Sequence, residues 1–164
     1  MMILSLLPTF VFLVLLAAVS LIDWNTMEIP DKLSAAVLAV GILAALWDWF
    51  GMKMNLSQPE VTLYERLLGL FCVSLPMEVL IRLIPGSFGG GDVKLMAGIG
   101  FFLGWKNCLL GFVLAVIGGG IYGGWLLLAG KKSRKDHFAF GPFLCAGAAA
   151  ACLFGGQILA WYLG

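Results

Sequence analysis

Polar residues fall into short breaks between long apolar runs along this chain, rather than alternating with apolar ones at a surface period. Runs at 3–22, 33–50, 63–84, 109–129 and 140–163 have about the length of a bilayer-crossing helix, roughly 20 residues. A sixth run, 93–105, is short for a crossing and predicts a short tilted helix or a re-entrant segment. Composition changes nothing in that picture. The chain is 62% hydrophobic and 12% charged, against roughly 45–50% and about 25% in a soluble domain. A soluble globule of 164 residues would leave too much of this apolar surface in water. The expectation is an all-α integral membrane protein: one transmembrane domain over 1–164, a polytopic bundle of about six helices with the fourth short, embedded in a lipid bilayer. The first run has no basic flank and ends in "IDWN" instead of a small-residue cleavage site, so it reads as a retained helix and not a signal peptide.

Charge orients the bundle. With six spans, loops one, three and five and their edges hold Lys32, Arg82, Lys94, Lys131, Lys132, Arg134 and Lys135, while loops two and four hold Lys53, Arg66 and Lys106. Seven against three places the odd loops in the cytoplasm and both termini outside. The near-neutral total charge gives nucleic acid no footing. Cys72, Cys108, Cys145 and Cys152 lie in apolar runs without a CxxC, and His137 is the single histidine, so neither a disulfide framework nor a metal site is read here. No cofactor is expected.

On this topology Asp23 ends the first span and Asp92 begins the fourth, 69 positions apart in sequence but at the same membrane face. Acids at membrane depth are costly and mark function by default. Their plain alternatives are headgroup contact and, for Asp92, a helix N-cap. Asp92 follows the pliant segment "PGSFGGGD", in which Gly89, Gly90 and Gly91 carry no side chain to keep an extended strand away from the carboxylate. Asp23 opens "DWNTMEIPDKLS", where Pro30 suits the first turn of the next helix. Glu28 and Asp31 read as solvated loop acids. Glu78 and Arg82, four apart, can pair on one helix face, and Asp48 falls near the opposite, outer end of the second span.

Two aspartates in one site suggest a dyad in which one carboxyl keeps its proton and the other acts as base. The base activates water against a peptide carbonyl, while the neutral partner hydrogen-bonds the carbonyl oxygen and helps protonate the leaving nitrogen. The same acids would also suit a small proton- or cation-coupled transporter, although both sit towards one face and no inverted repeat is visible.

"GGGD" at 89–92 matches the GxGD motif of intramembrane aspartyl proteases. Together with Asp23, "IPD" at 29–31, "GGGDVKLMAGIG" at 89–100 and "FGPFLCAG" at 140–147, the chain resembles the type IV prepilin peptidases over nearly its whole length. The resemblance implies a membrane-embedded endopeptidase that removes the basic leader of prepilins, pseudopilins or preflagellin-like substrates at the cytoplasmic face of a prokaryotic plasma membrane. It maps the two catalytic aspartates onto Asp23 and Asp92. Gly89, Gly90, Gly91 and Lys94 fall in the matching motif as supports of the loop, and Phe140, Gly141 and Pro142 match the last-span motif. Glu28 and Asp31 are candidates for attracting the basic leader. Longer members of that family carry an early cytoplasmic segment with paired CxxC motifs and also N-methylate the product; this sequence has no CxxC, so the resemblance implies a short, peptidase-only form.

Overall fold

The computed structural model describes residues 6–50, 61–84, 88–129 and 139–163, and every regular element among them is a helix. In chain order these are α1 (Leu7–Thr26), α2 (Asp31–Trp49), α3 (Leu63–Cys72), α4 (Ser74–Leu83), α5 (Gly90–Leu128) and α6 (Gly141–Leu163). The basic stretch 131–136, Lys53, Glu60 and His137 lie outside the described residues, and with them part of the charge count.

Helix α1 carries Pro8 in its first turn, where the missing N–H leaves no bond unmade. It runs past the apolar stretch to Thr26, which puts Asp23 inside its last turn. The end is well satisfied. Asn25 Nδ2 donates to the Leu21 carbonyl at 2.7 Å and the Thr26 hydroxyl to that of Ile22 at 2.9 Å. The Met27 N–H takes the Asp23 carbonyl at 2.8 Å. Met27 itself is left-handed, at φ 54 and ψ 25, a region that non-glycine residues enter uncommonly. That residue stops the helix and turns the chain towards α2, which Pro30 caps in an extended conformation from just outside the first turn.

The run 63–84 is not one helix. A capping box of Thr62 and Glu65 starts α3, and the helix breaks at Val73 before α4. Two residues explain the break: Pro76 has no N–H for the Cys72 carbonyl, and the Ser74 hydroxyl bonds back to the Leu70 carbonyl, a contact that bends helices.

Inside α5, Gly104 adopts φ 74 and ψ 167, a backbone region that is essentially glycine's alone. The chain folds back there. A Cβ on Gly100 would lie 3.1 Å from the Cys108 sulfur, whereas eight residues of straight helix separate two atoms by about 12 Å. The short run 93–105 is therefore the first arm of a hairpin, residues 90–103, about 21 Å long, with 105–128 as the returning arm. Leu95, Met96 and Ile99 of the first arm are fully buried, and its Phe102 stacks on Phe12 of α1 with ring centroids 4.0 Å apart. Small residues allow this density: Gly69 of α3 meets Gly100 backbone to backbone, and Gly111 meets Gly147 of α6 in the same way. Outward-facing Phe10, Leu21, Trp49, Trp125, Trp161 and Tyr162 give the bundle an apolar exterior, as a lipid environment requires. By length and composition four of the described helices, α1, α2, α5 and α6, are fit to cross a membrane. That measure does not reach six, because α3 and α4 are ten residues each and the two arms of α5 count once.

Arg66, counted above among the outer loop charges, is buried at 1% exposure. It pairs with Asp48 of α2 and donates to the carbonyls of Phe101 and Phe102 at 3.3 and 3.0 Å. Those carbonyls belong to the end of the first arm, which has no further turn to bond them. Arg66→Met is expected to destabilise the protein by about 3–5 kcal/mol, because Asp48 then stays behind unpaired. Joint replacement of Asp48 and Arg66 by apolar residues is expected to cost less, as read by denaturant unfolding in detergent.

Candidate active site

Two carboxylates from distant parts of the chain meet at one end of the bundle. Asp23, in the last turn of α1, is 4% exposed, and Asp92, in the first turn of α5, is 7% exposed. Each is held by a glycine N–H. Gly141, the first residue of α6, donates to Asp23 Oδ2 at 3.0 Å, and Gly89 donates to Asp92 Oδ2 at 3.1 Å. Asp92 is thus not the N-cap residue; it sits three residues after Gly89 and reaches back to its N–H, as the acid of a capping box does. Among the described residues neither carboxylate takes a hydrogen bond through Oδ1, which leaves one oxygen of each to face a reactant. Ile29 faces the supports of both, its Cβ towards Gly91 and its Cδ1 towards Gly141.

The three glycines have separate reasons. A Cβ on Gly91 would strike Ile29, 2.9 Å from its Cβ and 3.0 Å from its carbonyl oxygen. A Cβ on Gly89 would press on Asp92 Oδ2 at 3.3 Å, and one on Gly90 would meet nothing within 4 Å. Of the three, Gly90 alone has open space where a side chain would stand. Gly141 is tighter still: a Cβ there would lie 2.6 Å from Asp23 Oδ2 and 3.1 Å from Ile29 Cδ1. Phe88 and Phe140, on the segments leading into α5 and α6, pack ring to ring at 5.5 Å.

Lys94 and Asp31 form an ion pair at 2.7 Å between the starts of α5 and α2, both exposed. The pair joins the two segments that face each other across Ile29 and Gly91, and it occupies the carboxylate expected to attract a basic leader. Glu28 is exposed in the α1–α2 loop, with its N–H bonded to the Thr26 hydroxyl at 3.3 Å; among the described residues its carboxylate has no ion pair. Cys145, one turn after Gly141, is buried. Its place next to the Gly141 support of Asp23 was not read from the sequence, although its spacing from Gly141 puts both on one face of α6. No group of three His, Cys, Asp or Glu side chains able to hold a metal ion occurs among the described residues.

The chemistry open to this arrangement is that of two adjacent buried acids: holding a water molecule between them and moving a proton at either one. The type IV leader peptidase family is matched over residues 10–124. A prepilin leader peptidase/N-methyltransferase of Bacillus subtilis is 33% identical over 160 residues, 98% of this chain and 60% of that protein. Proteins of the same description from Burkholderia pseudomallei and Aeromonas salmonicida are 34% and 31% identical, over 85% and 90% of this chain and 44% and 49% of their own lengths. The chain thus spans about half the length of the curated relatives it matches. No solved structure shows significant similarity to it.

Proposed function

The chain belongs to the type IV leader peptidase family, and from that premise we propose that it is an aspartyl endopeptidase of the prokaryotic cytoplasmic membrane, cutting the basic leader from type IV prepilins or related pilin-like proteins. The observation that carries this reading is the pair of buried carboxylates, each anchored through Oδ2 to a glycine N–H.

In this reading Asp23 and Asp92 share one proton and bind a water molecule through their remaining oxygens. The ionised member takes a proton from the water as it attacks the scissile carbonyl. The protonated member hydrogen-bonds the developing oxyanion, then supplies a proton to the leaving nitrogen. Neither step needs a metal or a covalent intermediate. The glycine N–H groups fix the two carboxylates in advance, so little reorganisation accompanies the reaction. The scissile strand enters over Gly90, the glycine with open space above it. Glu28 attracts the positive leader, with Asp31 contributing less because Lys94 neutralises it. The site faces the cytoplasm and both termini face outwards, in line with the positive-inside count. These 164 residues are read as the peptidase part alone, since they contain no CxxC motif.

The test is to incubate membranes containing the chain with a type IV prepilin and labelled S-adenosylmethionine, and to weigh the product. The expected product has lost its leader and gained no methyl group. Failure to cut any prepilin supplied would overturn the proposal, and a methylated product would overturn its second half.

A further inference from the structure

The two aspartate-bearing segments are not tied to each other directly: among the described residues no hydrogen bond joins the last turn of α1 to the first turn of α5. One side chain reaches the supports of both, Ile29. Its Cβ and carbonyl face Gly91, the residue before Asp92, and its Cδ1 faces Gly141, whose N–H holds Asp23. The distances are tight on both sides: a methyl group added to Gly91 would lie 2.9 Å from Ile29 Cβ, and one added to Gly141 would lie 3.1 Å from Ile29 Cδ1. The left-handed turn at Met27 delivers Ile29 to this position just before Pro30 fixes the start of α2. Ile29 packs against the buried core rather than facing outwards. Branching at Cβ restricts its χ1, so it is a stiff spacer.

We propose that Ile29 is a positioning residue that sets the separation of Asp23 and Asp92 by filling the gap between Gly91 and Gly141. The inference rests on the aspartyl dyad reading and adds a determinant to it that touches neither the substrate nor the water. Coupling between two acids falls with their distance, so the spacer governs how far apart the two macroscopic titrations of the dyad lie. Other ionisable groups border the site: Cys145 on α6, Tyr122 on the returning arm of α5 against Trp24, the Lys94–Asp31 pair, and Glu28 in the loop. Shortening Ile29 removes none of them, so a change in the pH profile reports the spacing of the aspartates.

The experiment measures the pH dependence of prepilin cleavage by the full chain in membranes, for wild type, Ile29→Val, Ile29→Ala and Gly91→Ala, with the amount inserted measured alongside. In Ile29→Ala the expected fall in kcat is about 10²-fold with KM little changed, and the two limbs of the bell move apart as the aspartates approach. Gly91→Ala, which pushes the Asp92 segment off Ile29, is expected to narrow the bell instead. Ile29→Val, which keeps the branch and loses Cδ1, is expected to fall between wild type and Ile29→Ala, and it decides the matter if Ile29→Ala fails to accumulate. A fall in rate with an unchanged bell reduces Ile29 to ordinary packing and overturns the inference, as does an unchanged rate. If the wild type shows no cleavage, or keeps it after Asp23→Asn, the dyad reading itself fails, a result distinct from either.

Discussion

Asp23→Asn and Asp92→Asn are each expected to reduce leader cleavage to background while the protein still inserts. Positioned acid–base groups contribute about 10²–10⁴-fold each, and in a dyad the two act on one water. Asparagine matches the shape of aspartate, and its side-chain oxygen can still accept the N–H of Gly141 or Gly89. The helix ends therefore keep their contacts, and loss of activity cannot be attributed to loss of structure. What asparagine lacks is a group that can give up or take a proton near neutral pH. Because both acids serve the same step, the double variant is expected to be no worse than either single one. Mobility or mass of the prepilin after incubation reads the result, with membrane content of the variant as the control. Substantial cleavage by either single variant would remove the dyad.

The second large effect is expected from Gly141→Ala. At the start of a helix this exchange would ordinarily be tolerated and favour the helix slightly. Here the new methyl would lie 2.6 Å from Asp23 Oδ2 and 2.9 Å from its Cγ, so the carboxylate must leave its bond to the Gly141 N–H. A displacement of about 1 Å can cost around 10²-fold in rate, and that is the loss expected, without a matching drop in stability. Gly124→Ala serves as the comparison, because a Cβ there meets nothing within 4 Å; its activity and stability are expected to match wild type. Equal activity of Gly141→Ala and wild type would show that the bond to Asp23 is dispensable.

Much of the architecture was legible because hydropathy reports lipid exposure directly: the runs at 33–50, 109–129 and 140–163 reappear in α2, the returning arm of α5 and α6. What hydropathy does not report is where a helix stops. The run 63–84 conceals the break at Val73, although Pro76 within it was the available signal. The reversal at Gly104 depends on a backbone angle, and one glycine among 22 does not announce itself. Arg66 was misplaced for a related reason. A charge beside an apolar run counts as a loop charge until its partner is known, and Asp48 and the Phe101 and Phe102 carbonyls lie far from it in sequence. At the site, Asp23 and Asp92 stood out in the sequence as acids at the ends of apolar runs, and both are buried in the fold. The roles of Ile29 and Gly141 were not legible, since both act by occupying or vacating space, and a sequence records size without saying what it is fitted against.

The first arm of the α5 hairpin is also short for the layer it sits in. At about 21 Å it falls some 9 Å short of a hydrocarbon layer of about 30 Å. Leu95, Met96, Ile99, Phe102 and Leu103 bury it against neighbouring helices, so the shortfall is not carried by the surrounding acyl chains. Asp92 stands at the start of that arm, where a recess within the bundle would let water reach a buried carboxylate without disturbing the bilayer.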